Sequence, residues 1–152
     1  MKQKDRGFTL IEILIVIGII AILAAITIVA INPARQFSQA KNAQRSSNVN
    51  SILNAVYQYA IDNTGTLPAN IPVSATCATP ATNQICKTGG TCTGLVDLSV
   101  LTTNETYLVS LPTDPTGSTT NGTGYFVAKS ANGRVTVCAP SAEISATISV
   151  TR

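Results

Sequence analysis

The sequence predicts an α+β fold: a long bent N-terminal helix whose C-terminal half packs on a small antiparallel β-sheet. Three observations carry this expectation. An almost unbroken apolar run extends from Ile13 to Ile31. Beyond it Val49, Ile52, Leu53, Val56 and Ala60 recur at spacings of three and four, which gathers them on one face of an α-helix. Near the C-terminus Tyr125–Lys129 and Arg134–Cys138 flank an Asn-Gly pair, and residues 144–151 alternate apolar with polar.

The apolar run holds 19 residues interrupted only by Gly18 and Thr27. At about 1.5 Å per residue it reaches about 28 Å, close to the hydrocarbon thickness of a bilayer. Lys2, Lys4 and Arg6 precede it against the single acid Asp5, a balance that keeps the N-terminus in the cytoplasm and sends the C-terminus across. A secretory signal would also be basic and then apolar, but its apolar region is about 7–15 residues and ends at small residues. Here Ala24-Ala25 is followed by more apolar residues.

At the head of the run sits one acid, Glu12. A carboxylate at bilayer depth costs roughly 2.5–3.5 kcal/mol even on the gentler insertion scales, so Glu12 is expected to have a partner. The alternative is an acid at the membrane surface in an ordinary single-span anchor.

Asn32-Pro33 separates the apolar stretch from the amphipathic one, and Pro33 removes a helical hydrogen bond, so a kink is expected there in one helix of about residues 9–62. Asp62-Asn63-Thr64-Gly65 should end it, since Asn and Gly suit a left-handed cap and Pro68 blocks continuation. Small residues, turns and short strands follow. Asn132-Gly133 closes a hairpin by supplying positive φ angles, and Ile144–Thr151 reads as a further half-buried strand, which makes at least three antiparallel strands.

The basic leader with Gly7, Phe8 and Glu12, written Gly7-Phe8-Thr9-Leu10-Ile11-Glu12, resembles the type III signal of prepilins, the precursors of type IV pilins and of the pseudopilins of type II secretion. The resemblance is specific over residues 1–31. It implies a pilin-like fold and three parts: a leader at 1–7, a membrane and filament-core helix at 8–31, and an exported globular domain at 32–152 that includes the amphipathic half of the helix. It further implies a cut between Gly7 and Phe8 by a prepilin peptidase that also methylates the new amine of Phe8. The amine of one subunit then meets Glu12 of a neighbour. Two charges that are each costly in an apolar filament core thereby define one register.

The implied partners are the chain itself as a helical homopolymer, the peptidase and methylase, an inner-membrane platform with its motor ATPase, and membrane lipid before assembly. The implied location is the cytoplasmic membrane, then an extracellular pilus, or the periplasm or wall if the chain is a pseudopilin. The stretch Leu111-Pro112-Thr113-Asp114-Pro115 looks like the loop of major pseudopilins, which keeps that alternative open. A membrane-anchored binding domain that never polymerises is the other.

Charge and composition argue against other classes. Of the 10 Lys and Arg and the 7 Asp and Glu, three of the first and one of the second fall in the leader, leaving 7 against 6. So balanced a chain offers no basic patch for nucleic acid. Arg35, Lys41 and Arg45 lie close together after the apolar run and are expected at lipid headgroups or on a filament groove. With no histidine and no Gly-x-Ser-x-Gly motif, no catalytic residue is assigned.

No metal or cofactor is expected either. Zinc would want a Cys-x-x-Cys knuckle, which is missing. Calcium, which the comparable loop of some pseudopilins holds, would want clustered carboxylates, whereas Asp97, Glu105 and Asp114 are spread out and Asp114-Pro115 reads as a turn. The four cysteines, Cys77, Cys86, Cys92 and Cys138, lie on the exported side, where an even count suggests two disulfides. Three pairings are open, and the loop shared by Cys77 and Cys86 favours 77–86 with 92–138. Asn104-Glu105-Thr106 and Asn121-Gly122-Thr123 match the N-glycosylation pattern.

Overall fold

The computed structural model describes residues 7–152. Lys2, Lys4, Asp5 and Arg6 of the leader lie outside the described residues. The chain forms two compact units that meet in sequence at Phe37 and Ser38.

In the first unit, helix α1 spans Leu10–Ile31 and none of its residues is buried. It stops at Asn32, whose φ of 49° and ψ of 75° place it in the left-handed region that Asn tolerates better than most residues. Helix α2 begins at once and spans Pro33–Asp62. Asn32 serves this second helix as well, because its Oδ1 accepts the Arg35 amide at 3.3 Å. Pro33 occupies the first helical position, where a missing N–H costs nothing. The expected long helix is thus present, with its break at the single residue Asn32, beside the proline where the kink is expected.

In the second unit, α2 from Ser38 onward lies against a four-stranded antiparallel sheet in the order β1 (Gln84–Cys86), β2 (Gly122–Lys129), β3 (Val135–Cys138) and β4 (Ser149–Thr151). The stripe read from the sequence faces this sheet: Val49, Ile52, Leu53 and Val56 are fully buried with Ile85, Leu98, Leu101, Tyr125, Val127, Val135 and Val137. Burying such side chains stabilises by about 1.5–3 kcal/mol each, so this one face supplies most of the attachment of helix to sheet. The helix ends at Asp62, and the Gly65 amide, at φ 86°, reaches back to the Ala60 carbonyl at 2.7 Å. The left-handed residues are Thr64 and Gly65 rather than Asn63.

The β2–β3 hairpin pairs Phe126 with Cys138 and Lys129 with Val135. Of its Asn-Gly pair only Gly133 has a positive φ, because the Ser130 amide closes on the Arg134 carbonyl at 2.8 Å and the three residues between them need a single left-handed residue to match the strand twist. The C-terminal strand is shorter than the alternation suggests. Ile144 and Ser145 have φ of 57° and 53°, so the chain turns there and pairs only over Ser149–Thr151. Strand β1 has no clear signature in its Gln-Ile-Cys sequence.

The disulfides join Cys77 to Cys138 and Cys86 to Cys92. This corrects the favoured pairing. The chain before β1 passes the end of the β2–β3 ladder, bringing Cys77 Sγ within 3.4 Å of the Phe126 carbonyl oxygen and so beside Cys138. Lys87–Gly90 then turns back, with the Gly90 amide on the Lys87 carbonyl at 3.0 Å, and returns Cys92 to Cys86. Sharing a loop mattered less than which strand the loop crosses.

Candidate processing and assembly site

The residues expected to act in processing lie where the chain enters α1. Gly7 is exposed, and a Cβ placed there would meet nothing within 4 Å. Phe8 is 83% exposed. Thr9 is the N-cap, with extended backbone at φ −81° and ψ 150°, and starts the helix at Leu10.

Glu12 has a partner inside its own chain. Its Oε2 accepts both the Thr9 amide and the Thr9 hydroxyl at 2.9 Å, while the Glu12 amide donates to Thr9 Oγ1 at 3.3 Å. The two residues form a reciprocal capping box that satisfies donors the first helical turn leaves open, and the carboxylate also faces the positive end of the helix dipole. Among the described residues the box is made by Thr9 and Glu12. Phe8 and Glu12 stand four residues apart, one helical turn. The cap thus holds the carboxylate toward the end of the helix at which Phe8 sits.

Helix α1 behind this site has 22 residues and a mean hydropathy of 3.2 over its most apolar stretch. Among the described residues it is the one helix long and apolar enough to cross a membrane. Its bare apolar surface is stable only in lipid or against other apolar helices.

The second unit contains a charged cluster that the sequence reading placed elsewhere. Arg45, expected at headgroups or a groove, is fully buried. Its Nε donates to Asp114 Oδ2 at 2.7 Å and one terminal nitrogen donates to Oδ1 at 3.1 Å. Its remaining donors reach Asn42 Oδ1 at 2.9 Å and Thr116 Oγ1 at 2.5 Å. Asp114 is therefore not merely a turn residue. It also accepts the amides of Thr116 and Gly117 at 2.9 and 2.7 Å, and no buried side-chain nitrogen or oxygen among the described residues lacks a partner.

Burial alone would raise the Asp114 carboxyl, but the Arg45 hydrogen bonds, the two amides and the Arg45 charge outweigh it and hold the group below its ordinary value. Glu143 is likewise lowered, by the Ser38 hydroxyl and Lys41 first. It pairs with Lys41 at 3.2 Å and with Arg45 at 3.5 Å, while its amide and carbonyl bind the Asn42 side chain. Lys41 is thus engaged within the unit. A sequence signal for Arg45 existed: it lies four residues before Val49, on the same stripe.

Two glycines make room for the cluster. Gly124 has φ +83°, and a Cβ there would stand 2.7 Å from Asp114 Cβ and 2.8 Å from the Gly117 backbone. At Gly117 an added Cβ would collide with Ser141 Oγ.

The described residues hold no group of three His, Cys, Asp or Glu side chains placed to bind a metal, and all four cysteines are in disulfides. The two sites have different uses. One caps an exposed apolar helix, and the other fixes a packed domain.

Residues 2–28 match the model of the prokaryotic N-terminal methylation motif. The chain therefore carries a type IV pilin-like prepilin signal. No curated protein and no solved structure matches the chain.

Proposed function

We propose that the protein is a subunit of a type IV pilus-like filament, cut between Gly7 and Phe8 by a prepilin peptidase, methylated at Phe8, and polymerised through α1. The methylation motif across residues 2–28 is the observation that carries this proposal. Support comes from the exposure of Gly7 and Phe8 and from the wholly unburied apolar surface of α1. In the membrane, lipid covers that surface. After extraction by an assembly platform with its motor ATPase, only like helices can. A repeated head-to-tail contact that does not close gives a helical filament.

Glu12 sets the register in this scheme. The Thr9 cap leaves carboxylate lone pairs free for the amine of a neighbouring subunit's Phe8, and misregistered packing leaves both charges unpaired in an apolar core. Residues 32–152, which include the second unit, are the exported domain, stabilised by two disulfides in an oxidising compartment.

Mass spectrometry of filaments sheared from the cell surface tests the proposal through a peptide beginning at N-methylated Phe8. Finding that peptide only in the envelope would favour a pseudopilin of type II secretion, the reading to which the Leu111–Pro115 loop belongs. Chains that keep Met1 throughout would leave a simple membrane-anchored domain. Glu12→Ala and Glu12→Gln are expected to be processed normally yet absent from filaments.

A further inference from the structure

We infer that Asn104 is a site of covalent N-glycosylation, and that the second matching tripeptide, at Asn121, is closed by the fold. The inference rests on the proposed export of residues 32–152, because lipid-linked glycan donors and the exported domain must meet on one side of the membrane.

Both tripeptides have the Asn-x-Thr form in which the enzyme must reach the Asn amide and the Thr hydroxyl together. Around Asn121 the hydroxyl is out of reach. Thr123 is fully buried and its Oγ1 donates to the Ile85 carbonyl at 3.0 Å. It also belongs to β2, the strand held by β1 on one side and β3 on the other. Asn121 is itself tied down: its carbonyl accepts the Lys87 amide at 2.7 Å and its Oδ1 the Thr91 amide at 3.2 Å. Presenting this tripeptide would mean withdrawing a central strand.

Asn104-Glu105-Thr106 is the opposite case. All three residues are exposed and lie at the end of a short 3-10 turn, in no strand. Asn104 and Glu105 are both left-handed, at φ 54° and 55°, so the tripeptide sits in a turn rather than in a ladder. The Thr106 hydroxyl donates only to the nearby Thr103 carbonyl at 2.9 Å, an exposed bond that water or an enzyme group can replace. Val100 and Val109 nearby in sequence are 40% and 71% exposed, apolar surface that a sugar would screen from water.

The reaction needs a glycan bound through its anomeric carbon to a lipid pyrophosphate. The Asn104 Nδ2 attacks that carbon and forms the new C–N bond. The carbon–oxygen bond to pyrophosphate breaks, the lipid pyrophosphate leaves with the electron pair, and one amide proton is lost to base. No oxidant or reductant is involved.

The test is mass spectrometry of the full chain isolated from its own cells and digested with a protease that cuts before aspartate, since a cut between Thr113 and Asp114 separates Asn104 from Asn121. The expected result is a sugar mass on the Asn104 peptide, absent from Asn104→Gln and Thr106→Ala chains, with the Asn121 peptide bare. Because Asn104 and Thr106 are exposed, both variants should keep the wild-type disulfides, which the same digest reads. A bare Asn104 peptide overturns the inference, as does sugar on Asn121 instead. The N-terminal peptide separates the two proposals: bare Asn104 alongside methylated Phe8 overturns glycosylation alone, whereas bare Asn104 on chains that keep Met1 overturns both.

Discussion

Arg45 on α2 and Asp114 in the loop before β2, 69 residues apart, share two hydrogen bonds of 2.7 and 3.1 Å with both side chains completely buried. The ion pair joins the helix to the loop that enters the central strand. A buried pair gains little over an apolar replacement of the same volume, but losing one partner strands the other charge in the interior. Its value here is in fixing which loop lies on which turn of the helix.

Removing one partner should therefore cost far more than removing both. Asp114→Ala is expected to destabilise the second unit by about 3–5 kcal/mol, whereas Arg45→Met combined with Asp114→Leu should recover most of that loss. Urea unfolding of the full chain in detergent, followed by circular dichroism, measures both. Equal losses in the single and double variants would show that the pair does not act as a unit.

The same cluster sets the acid limit. Asp114 and Glu143 both have carboxyls lowered in the folded chain. Their contribution is fully present above the ordinary carboxylate range, about pH 4, and is lost as pH falls through their lowered folded values. Stability should thus be flat from neutral pH to about 5 and fall below about 4. Arg45→Met with Asp114→Leu should flatten that fall, as denaturation midpoints across the range would reveal.

The two disulfides should differ in weight. Cys77–Cys138 closes a sequence separation of 61 and Cys86–Cys92 one of 6. On loop-closure entropy the first is expected to contribute about 4 kcal/mol and the second about 2 kcal/mol. Paired Cys→Ala substitutions compared by denaturant melts give the ranking, and a larger loss at Cys86–Cys92 would contradict it.

Cleavage should depend on the size of residue 7. The peptidase implied by the methylation motif needs a small residue at the cut, so Gly7→Leu is expected to keep its leader and accumulate in the membrane. Gly7 touches nothing that a side chain would disturb, so the fold should survive. Immunoblotting for the two chain lengths decides the matter, and normal cleavage of Gly7→Leu would remove Gly7 from the site.

Thr9→Ala should loosen the start of α1 by about 1 kcal/mol, and Thr9→Ser should restore it, because the cap needs only a side-chain oxygen there. Amide hydrogen exchange at Ile11, Glu12 and Ile13 reports this directly. Unchanged protection in Thr9→Ala would mean that the box does not hold the first turn.

The sequence by itself determined the elements whose signal is local. The apolar length of α1, the methylation motif over residues 2–28, the buried stripe of α2 and the β2–β3 hairpin each depend on periodicity or on a few adjacent residues, so a linear reading reaches them. Tertiary structure decided the rest. Which cysteines pair depended on Cys77 crossing the end of the β2–β3 ladder, and no spacing encodes that. Arg45 looked like a surface cation because its partner lies 69 residues away, although its place on the stripe already put it inside. The C-terminal alternation ended in a short strand because left-handed turns at Ile144 and Ser145 interrupted it. Local sequence fixes what a segment is able to form. The free energy of burying a charge or pairing an edge depends on what arrives from elsewhere, and only the folded chain supplies that.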